Sequence, residues 1–182
     1  MSNAVMQIGA REIRLSGLGD SILLRPAVAT DAPAVAELLL LSRKTFLPYL
    51  RQVHGDADVH QWVAGTLIPS QGVSLALGDK GTMLGVLALS RDEAGMAWID
   101  QLYLHPDAIL RGLGSVLLSE AMQLLGPTIR LYTFQLNTGA RRFYQRHGFE
   151  VIALSDGQRN EERCPDVLFE WRDAAPDCIR AT

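Results

Sequence analysis

The chain has 182 residues, of which 48% are hydrophobic and 20% are charged. This composition is typical of one globular domain with a substantial core. The net charge of −3 argues against broad binding to nucleic-acid phosphates, and no apolar run approaches the ~18 residues of a membrane span. The two cysteines, Cys164 and Cys178, show no metal-type or disulfide-type spacing. We therefore expect a cytoplasmic protein without a signal peptide, membrane segment or metal.

The first half of the chain predicts a strand, two helices and three further strands. Residues 21–25 are short, apolar and closed by Pro26, as is typical of a strand. Apolar residues then recur at helical spacing, with Thr30 as a candidate N-cap. Apolar segments separated by short turn sequences follow and indicate an antiparallel meander. The predicted bounds are 31–44 and 56–67 for the helices, and 73–77, 82–90 and 96–105 for the strands.

The second half predicts a β-α-β crossover, a short helix and two final strands. Its predicted elements are a helix at 112–125, a strand at 129–135, a helix at 138–147, and strands at 149–154 and 167–171. Residues 1–20 are expected to form an N-terminal tail or an edge strand near residues 12–15, and residues 173–182 a C-terminal tail. The chain is thus expected to form a single mixed α/β domain over residues 21–172. Its sheet should have about seven strands, with helices on both faces.

A glycine-containing loop at residues 105–118 (HPDAILRGLGSVLL) is the most informative stretch. Two glycines, Gly112 and Gly114, open a helix whose free N–H groups and dipole favour an anion such as a pyrophosphate. Close packing of this helix on a strand would also explain the glycines. The loop lacks the lysine of a Walker motif and the third glycine of a dinucleotide-binding motif.

A second group of polar residues follows the next strand, in the sequence NTGARRFYQRHGF. Asn137 and Tyr144 share one face of a predicted helix. The amide of Asn137 can bond to another amide, and Tyr144 carries a phenolic proton. Tyr144 is equally explained as a core aromatic that packs with Phe143 and Phe149.

Together these segments resemble the GNAT superfamily of acetyl-CoA-dependent N-acetyltransferases. The resemblance covers residues 22–151 in element order and 98–152 in motif detail. It rests on the segments IDQLYL, HPDAILRGLGSVLL, LYTFQL and NTGARRFYQRHGFEVI. It implies a GNAT-type mixed sheet in which two neighbouring strands splay apart at the cofactor cleft. Acetyl-CoA is the implied co-substrate, and an amine attacks it directly without a metal or a covalent enzyme intermediate.

The resemblance also implies roles for individual residues. Tyr144 would be the general acid that protonates the departing thiolate, Asn137 would bond the pantetheine arm, and an N–H near Leu102 would hold the oxyanion. The pantetheine amides would pair with Leu102, Tyr103 and Leu104, and the N–H groups of Leu110, Arg111, Gly112, Leu113, Gly114 and Ser115 would wrap the pyrophosphate.

The sequence departs from the family pattern in two places. Ile109 stands where the family usually has Gln or Arg, which predicts a lower affinity for the cofactor. Tyr132 and Trp98 stand where some relatives carry a carboxylate base. Asp100 is the remaining candidate base and would act through water, although a carboxylate satisfied by neighbouring groups explains it equally well.

The expected acceptor is a primary amine on a small molecule or at a protein N-terminus. The loop at residues 156–166 is either a solvated hairpin loop or the border of the acceptor site, where Asn160, Glu161, Glu162 and Asp166 would bind a cationic amine. The residues Phe46, Tyr49, His54 and Trp62 are explained either by an acceptor pocket or by core packing. Homodimers are common in the family, but the sequence indicates no interface. A non-catalytic acyl-CoA-binding module and a non-catalytic interaction domain are the alternative functions.

Overall fold

A single sheet flanked by α-helices is built by residues 8–15 and 21–173, which are the residues that this computed structural model describes. The helices are α1 (Ala32–Phe46), α2 (Asp56–Trp62), α3 (Leu113–Leu125) and α4 (Thr138–Arg146). The strands are β1 (Arg11–Ile13), β2 (Ile22–Pro26), β3 (Val73–Leu77), β4 (Met83–Arg91), β5 (Ala97–Leu104), β6 (Thr128–Phe134), β7 (Glu150–Leu154) and β8 (Asp166–Arg172).

The strands lie in the order β1-β2-β3-β4-β5-β6-β8-β7. All neighbours are antiparallel except β5 and β6, which are parallel and connected through α3. The predicted mixed sheet, meander and crossover are therefore confirmed. The eighth strand is β1, which pairs with β2 close to where an edge strand was expected. Residues 1–7, 16–20 and 174–182 of the two predicted tails, including Cys178, lie outside the described residues.

Two hydrophobic clusters, one on each face, confirm that helices cover both sides of the sheet. On one side, α1 and the segment after α2 bury Val35, Leu39 and Val63 against β3 and β4. On the other side, α3 buries Leu117 and Leu118 against strands that include β6 and β8. Complete burial of each such side chain contributes about 1.5–3 kcal/mol. Within the described ranges, no helix is both long and apolar enough to cross a membrane.

The second predicted helix is shorter than expected. The α-helix ends at Trp62 and continues as a π-helical turn (Val63–Leu67) and a 3-10 turn (Ile68–Ser70). Pro69 lies in the last of these turns and has no N–H to extend a helical ladder further.

The parallel pair β5–β6 is short, and this opens the sheet. Among the described residues, the two strands pair only at Ala97–Ile129 and Trp98–Arg130. Beyond these pairs, β5 continues beside β4, whereas β6 continues beside β8. A gap therefore lies inside the sheet, between the second half of β5 and the second half of β6.

A β-bulge at Asp100 accompanies this separation. Ile99 pairs with Leu89 and Gln101 pairs with the adjacent Ala88, so Asp100 is an extra residue in β5. Ala97 and Ile99 face the α3 side before the bulge, and Leu102 and Leu104 face the same side after it. A bulge bends its strand and increases the local twist, so it turns the end of β5 away from β6. The sequence analysis missed this feature.

Gly72 supports the strand that faces the bulge. Its carbonyl accepts the N–H of Leu89 at 3.0 Å, and a Cβ on Gly72 would overlap the Leu89 carbonyl. We expect Gly72→Ala to lower the free energy of unfolding by about 2 kcal/mol, since the clash involves backbone that cannot easily move. Urea denaturation measures the change. Gly65→Ala is the matched control, because its Cβ would meet no atom within 4 Å, and an unchanged or higher stability is expected there. Equal effects of the two substitutions would contradict the close approach.

Candidate functional site

The gap between β5 and β6 opens into a cavity of about 640 Å³, here called the splay cavity. It is bordered by the end of β5, the loop before α3 and the first turns of α3 and α4. Most of the residues that the sequence analysis assigned to a cofactor site meet here. Those that line the cavity are Leu102, Tyr103, Leu104, Leu110, Gly112, Gly114, Ser115, Asn137 and Tyr144.

The start of α3 provides backbone donors at one end of this cavity. Gly112 is the N-cap and has a φ of 86°, a left-handed conformation that favours glycine. The Val116 N–H donates to the Gly112 carbonyl oxygen at 3.1 Å, which is the hydrogen bond that begins the helix. The N–H groups of residues 113–115 come before it and have no partner within the helix. Glycine has no side chain that could cap them. The helix dipole adds partial positive charge, and the arrangement suits an anion.

The structure requires glycine at only one of the two glycine positions of this loop. Gly112 is required by its backbone conformation, whereas a Cβ at Gly114 would lie 3.4 Å from Leu104 and Phe143, an ordinary contact distance. Close packing of helix on strand therefore does not demand glycine at Gly114. Leu110 also adopts a left-handed conformation, with a φ of 61°, and is 93% exposed. Such a conformation costs a non-glycine residue about 1 kcal/mol or more.

Three predicted site residues do not line the splay cavity. The side chain of Leu113 is fully buried in the core beneath α3, so only its backbone is available to a ligand. Arg111 lies in the loop but outside the lining. Asp100 lines neither this cavity nor the second cavity described below.

Asn137 begins α4 and also borders the splay cavity. Its Oδ1 accepts the N–H of Ala140 at 3.1 Å, which makes it the N-cap of the helix. The side-chain NH₂ group is not used by the cap. Asn137 therefore has a structural role, and it retains two donor hydrogens for a ligand.

Tyr144 belongs to both the core and the cavity. Its ring packs at centroid distances of 5.2 Å from Phe143 and 5.6 Å from Phe149, and the residue is 7% exposed. Burial raises the pKa of its hydroxyl, and the neighbouring Tyr103 adds to this effect. The hydroxyl therefore stays protonated at neutral pH. Tyr144 thus packs as a core aromatic and also borders the cavity, and its role as a proton donor stays a prediction.

Asp100 is the extra residue of the bulge, and the residue as a whole is exposed. Protein atoms around its carboxyl group nevertheless partly desolvate that group. Desolvation raises its pKa, and a hydrogen bond with Ser90 acts in the opposite direction. Nearby, Trp98 stacks on Tyr132 with 5.6 Å between ring centroids, and its Nε1 donates to Asp92 at 3.0 Å. The two positions where some relatives carry a carboxylate are thus filled by one aromatic stack.

A second cavity, of about 700 Å³, lies between α1, α2 and the loop that joins β7 to β8. We call it the α1–α2 cavity. Tyr103 and Leu47 line both cavities, so the two meet at these side chains. Burial raises the pKa of Tyr103, whereas the cation of Arg43 beside it acts to lower that pKa.

Two ion pairs hold the β7–β8 loop against the α1–α2 region. Arg43 Nη2 lies 2.8 Å from Glu162 Oε1, and His54 Nε2 lies 2.8 Å from Glu161 Oε2. The hydrogen bond with Glu161 raises the pKa of His54. The charged form of this pair is therefore present at lower pH and is lost as the pH rises through that raised value.

The remaining acceptor-site candidates divide between different places. Glu161, Glu162, His54 and Trp62 line the α1–α2 cavity, whereas Phe46 lines the splay cavity. Tyr49 lines neither cavity. The side chains of Asn160 and Asp166 bond to each other at 2.8 Å and stabilise the loop from within.

Arg43 is the main site residue that the sequence analysis missed. It lies in the last turn of α1, next to Tyr103 and Glu162. The only signal in the sequence is a cation at the end of a largely apolar helix, and cations are common there for reasons of helix stability.

Comparison with known proteins gives a consistent result. The sequence model of the acetyltransferase (GNAT) family matches residues 36–149. The chain is 23% identical over 149 residues to the peptidyl-lysine N-acetyltransferase YiaC of Escherichia coli strain K12, covering 82% of this chain and 96% of that protein. Its fold is similar to that of the PaiA N-acetyltransferase from Thermoplasma acidophilum, solved in complex with coenzyme A (TM-score 0.65, 20% identity, 84% of this chain and 99% of that chain). It is also similar to the fold of apo YjaB from Escherichia coli (TM-score 0.67, 20% identity, 82% of this chain and 97% of that chain).

The cap at Asn137 can be tested by itself. Asn137→Ala removes the acceptor for the Ala140 N–H, and we expect the free energy of unfolding to fall by about 1 kcal/mol. Asn137→Asp keeps an oxygen at the cap and should retain most of the stability. Urea denaturation of both variants provides the comparison. Equal losses for alanine and aspartate would mean that the cap does not stabilise α4.

Proposed function

Because the chain belongs to the GNAT acetyltransferase family, we propose that it transfers the acetyl group of acetyl-CoA to a primary amine by direct attack. The observation that carries this proposal is the meeting of the two cavities at Tyr103. The splay cavity has the backbone donors at the start of α3 and the buried side chain of Tyr144. The α1–α2 cavity has carboxylates and an apolar wall. A cofactor in the first cavity would present its thioester to an amine in the second.

Acetyl-CoA fits the splay cavity in this proposal. The pyrophosphate would accept hydrogen bonds from the N–H groups at the start of α3. The pantetheine arm would lie along Leu102, Tyr103 and Leu104, where β5 has lost β6 as a partner, and its amides would replace that strand. The NH₂ group of Asn137 would donate to the same arm. Ile109 lines the cavity but offers no polar group, so the backbone would hold the phosphates.

The neutral amine loses one proton in the reaction, and sulfur gains one; an acceptor that arrives as an ammonium ion first releases a further proton to solvent. The neutral amine attacks the thioester carbonyl, whose oxygen gains negative charge and would be held by an N–H near Leu102. The C–S bond then breaks, and the Tyr144 hydroxyl protonates the thiolate. Asp100 would accept the amine proton through water, since its raised pKa suits a general base. Bulk water would restore the proton of Tyr144.

The acceptor would enter through the α1–α2 cavity. The wall carries the carboxylates of Asp56, Asp58, Glu161 and Glu162 and the cations of Arg43, Lys44 and Arg51. Because Glu162 pairs with Arg43 and Glu161 pairs with His54, Asp56 and Asp58 are the carboxylates that would attract an acceptor arriving as an ammonium ion. The name of the similar Escherichia coli protein specifies a peptidyl lysine. A panel of lysine peptides, peptides with a free N-terminus and small amines, assayed by thiol release from acetyl-CoA, tests the proposal. Binding of acetyl-CoA without turnover of any of these amines would contradict it.

A non-catalytic acyl-CoA-binding module is the second candidate. The position of Asp100, outside the lining of both cavities, favours it, because a binder needs no base. Tyr144 favours the enzyme, because a binder has no use for a proton donor at sulfur.

The first functional prediction concerns the anion site at Gly112. Gly112→Asp places a negative charge beside the proposed pyrophosphate, and we expect the affinity for acetyl-CoA to fall at least tenfold, or about 1.4 kcal/mol. Gly112→Asn is the matched control, because asparagine has the same size, also tolerates a left-handed backbone and carries no charge. Isothermal titration calorimetry gives both affinities. Equal affinities of the two variants would exclude a phosphate at this position.

The second functional prediction concerns Tyr144. Tyr144→Phe keeps the ring packing and removes the proposed acid, so turnover should fall by about 10²–10⁴-fold with little change in acetyl-CoA affinity. Tyr132→Phe is the matched control, since Tyr132 is 58% exposed and lies outside both cavities. Steady-state kinetics with any accepted amine provide the measurement. Turnover within about twofold of the unsubstituted enzyme would remove Tyr144 from the chemistry.

A further inference from the structure

Ser115 and His147 form a hydrogen-bonded pair beside the end of the splay cavity that holds the start of α3. Ser115 lies in the first turn of α3 and lines the cavity. His147 follows α4 as its C-cap. Ser115 Oγ lies 3.1 Å from His147 Nε2, and His147 Nδ1 lies 2.8 Å from the Phe143 carbonyl oxygen. The pair thus connects the start of one helix with the end of the other.

These contacts determine the position of the hydrogens in neutral His147. A carbonyl oxygen can only accept, so the ring proton must be on Nδ1 and point to Phe143. Nε2 then carries a lone pair and accepts the hydroxyl proton of Ser115. In this state the hydroxyl cannot donate to a ligand, although it borders the proposed pyrophosphate site.

Protonation of His147 would reverse the direction of this hydrogen bond. With a proton on Nε2 as well, the imidazolium donates to Ser115 Oγ and keeps its bond to the Phe143 carbonyl. The hydroxyl proton of Ser115 is then free to turn towards a phosphate oxygen. Imidazole is the side chain that changes its protonation near physiological pH, so a bound anion can select between the two states.

The local charges indicate why an anion would favour the protonated state. The end of α4 favours a cation at His147, whereas the start of α3, with its partial positive charge, opposes it. A pyrophosphate at the start of α3 would remove this opposition and would attract the imidazolium. The ionisable side chains on the elements around His147 are Arg141, Arg142, Tyr144 and Arg146 on α4, Glu150 on β7, His105, Asp107 and Arg111 before α3, and Glu120 on α3, which pairs with Arg11.

We infer that His147 is a positioning residue for the cofactor: it takes up one proton when the pyrophosphate binds and thereby turns the Ser115 hydroxyl towards the phosphate. The inference rests on the proposed binding of acetyl-CoA in the splay cavity. The proton comes from solvent and returns there when the cofactor leaves. Lower pH should therefore tighten binding.

The test measures binding of 3′-dephospho-CoA between pH 6 and pH 8 by calorimetry, in two buffers of different ionisation enthalpy. This ligand keeps the pyrophosphate but lacks the 3′-phosphate, whose own titration near pH 6 would obscure the result. We expect proton uptake on binding, and a dissociation constant about three- to tenfold higher at pH 8 than at pH 6.

Two variants separate the inferred mechanism from a simple charge effect. The amide oxygen of His147→Gln can accept from Ser115 but cannot gain a proton, so binding should lose its pH dependence and stay at the weaker, high-pH level. Ser115→Ala keeps the imidazole and removes the hydroxyl, so the pH dependence should become smaller, because only the charge of the imidazolium still acts on the phosphate. The matched control is His60→Gln, because His60 pairs with Glu37 at 3.0 Å and lines neither cavity. This control should bind as the unsubstituted protein does.

The outcomes distinguish this inference from the proposed function. Binding without proton uptake, or pH dependence that persists in His147→Gln, would overturn the role of His147 and leave acetyl-CoA binding intact. If the full pH dependence persists in Ser115→Ala but is lost in His147→Gln, His147 acts by its charge and the role of the hydroxyl is overturned. Failure of the unsubstituted protein to bind acetyl-CoA or 3′-dephospho-CoA would overturn the proposed function as well.

Discussion

The loss of pairing between β5 and β6 is the constraint on which the rest of the site depends. Two residue pairs hold the strands together, and beyond them each strand follows a different neighbour. The bulge at Asp100 bends β5 at this point. The N-terminal ends of α3 and α4 then face the opening, since both helices follow one of the two strands that separate. The cavity is a consequence of that separation, and the start of α3 and Tyr144 border it.

The regular elements were predictable because local patterns determine them. The helical spacing of Val35 and Leu39, and the alternation of apolar residues in the meander, correspond to the two buried clusters. The glycine loop and Asn137 were also recognisable, because the conformation of Gly112 and the cap at Asn137 are local properties. These features depend on neighbours in sequence and need no knowledge of the tertiary structure.

The features that the sequence analysis missed depend on contacts between distant segments. Arg43 belongs to the site because Tyr103 and Glu162 lie beside it, and neither is close in sequence. The bulge left a trace that could have been found, since the buried positions change from 97 and 99 to 102 and 104. That change of parity requires one extra residue between them. The assignment of Asp100 as a base remains a proposal, because the family pattern and not the cavity geometry led to it.

The opening in the sheet also affects how accessible the unpaired edge of β5 is to other chains. A strand with unsatisfied N–H and C=O groups normally attracts other chains and promotes aggregation. Here the unpaired edge of β5 lies in the interior of the sheet, with β6 and the ends of two helices around it. Another chain could reach this edge only through the opening, whereas an outer strand of the sheet is open along its whole length. The fold thus contains an unpaired edge that is less accessible to other chains than an outer strand would be.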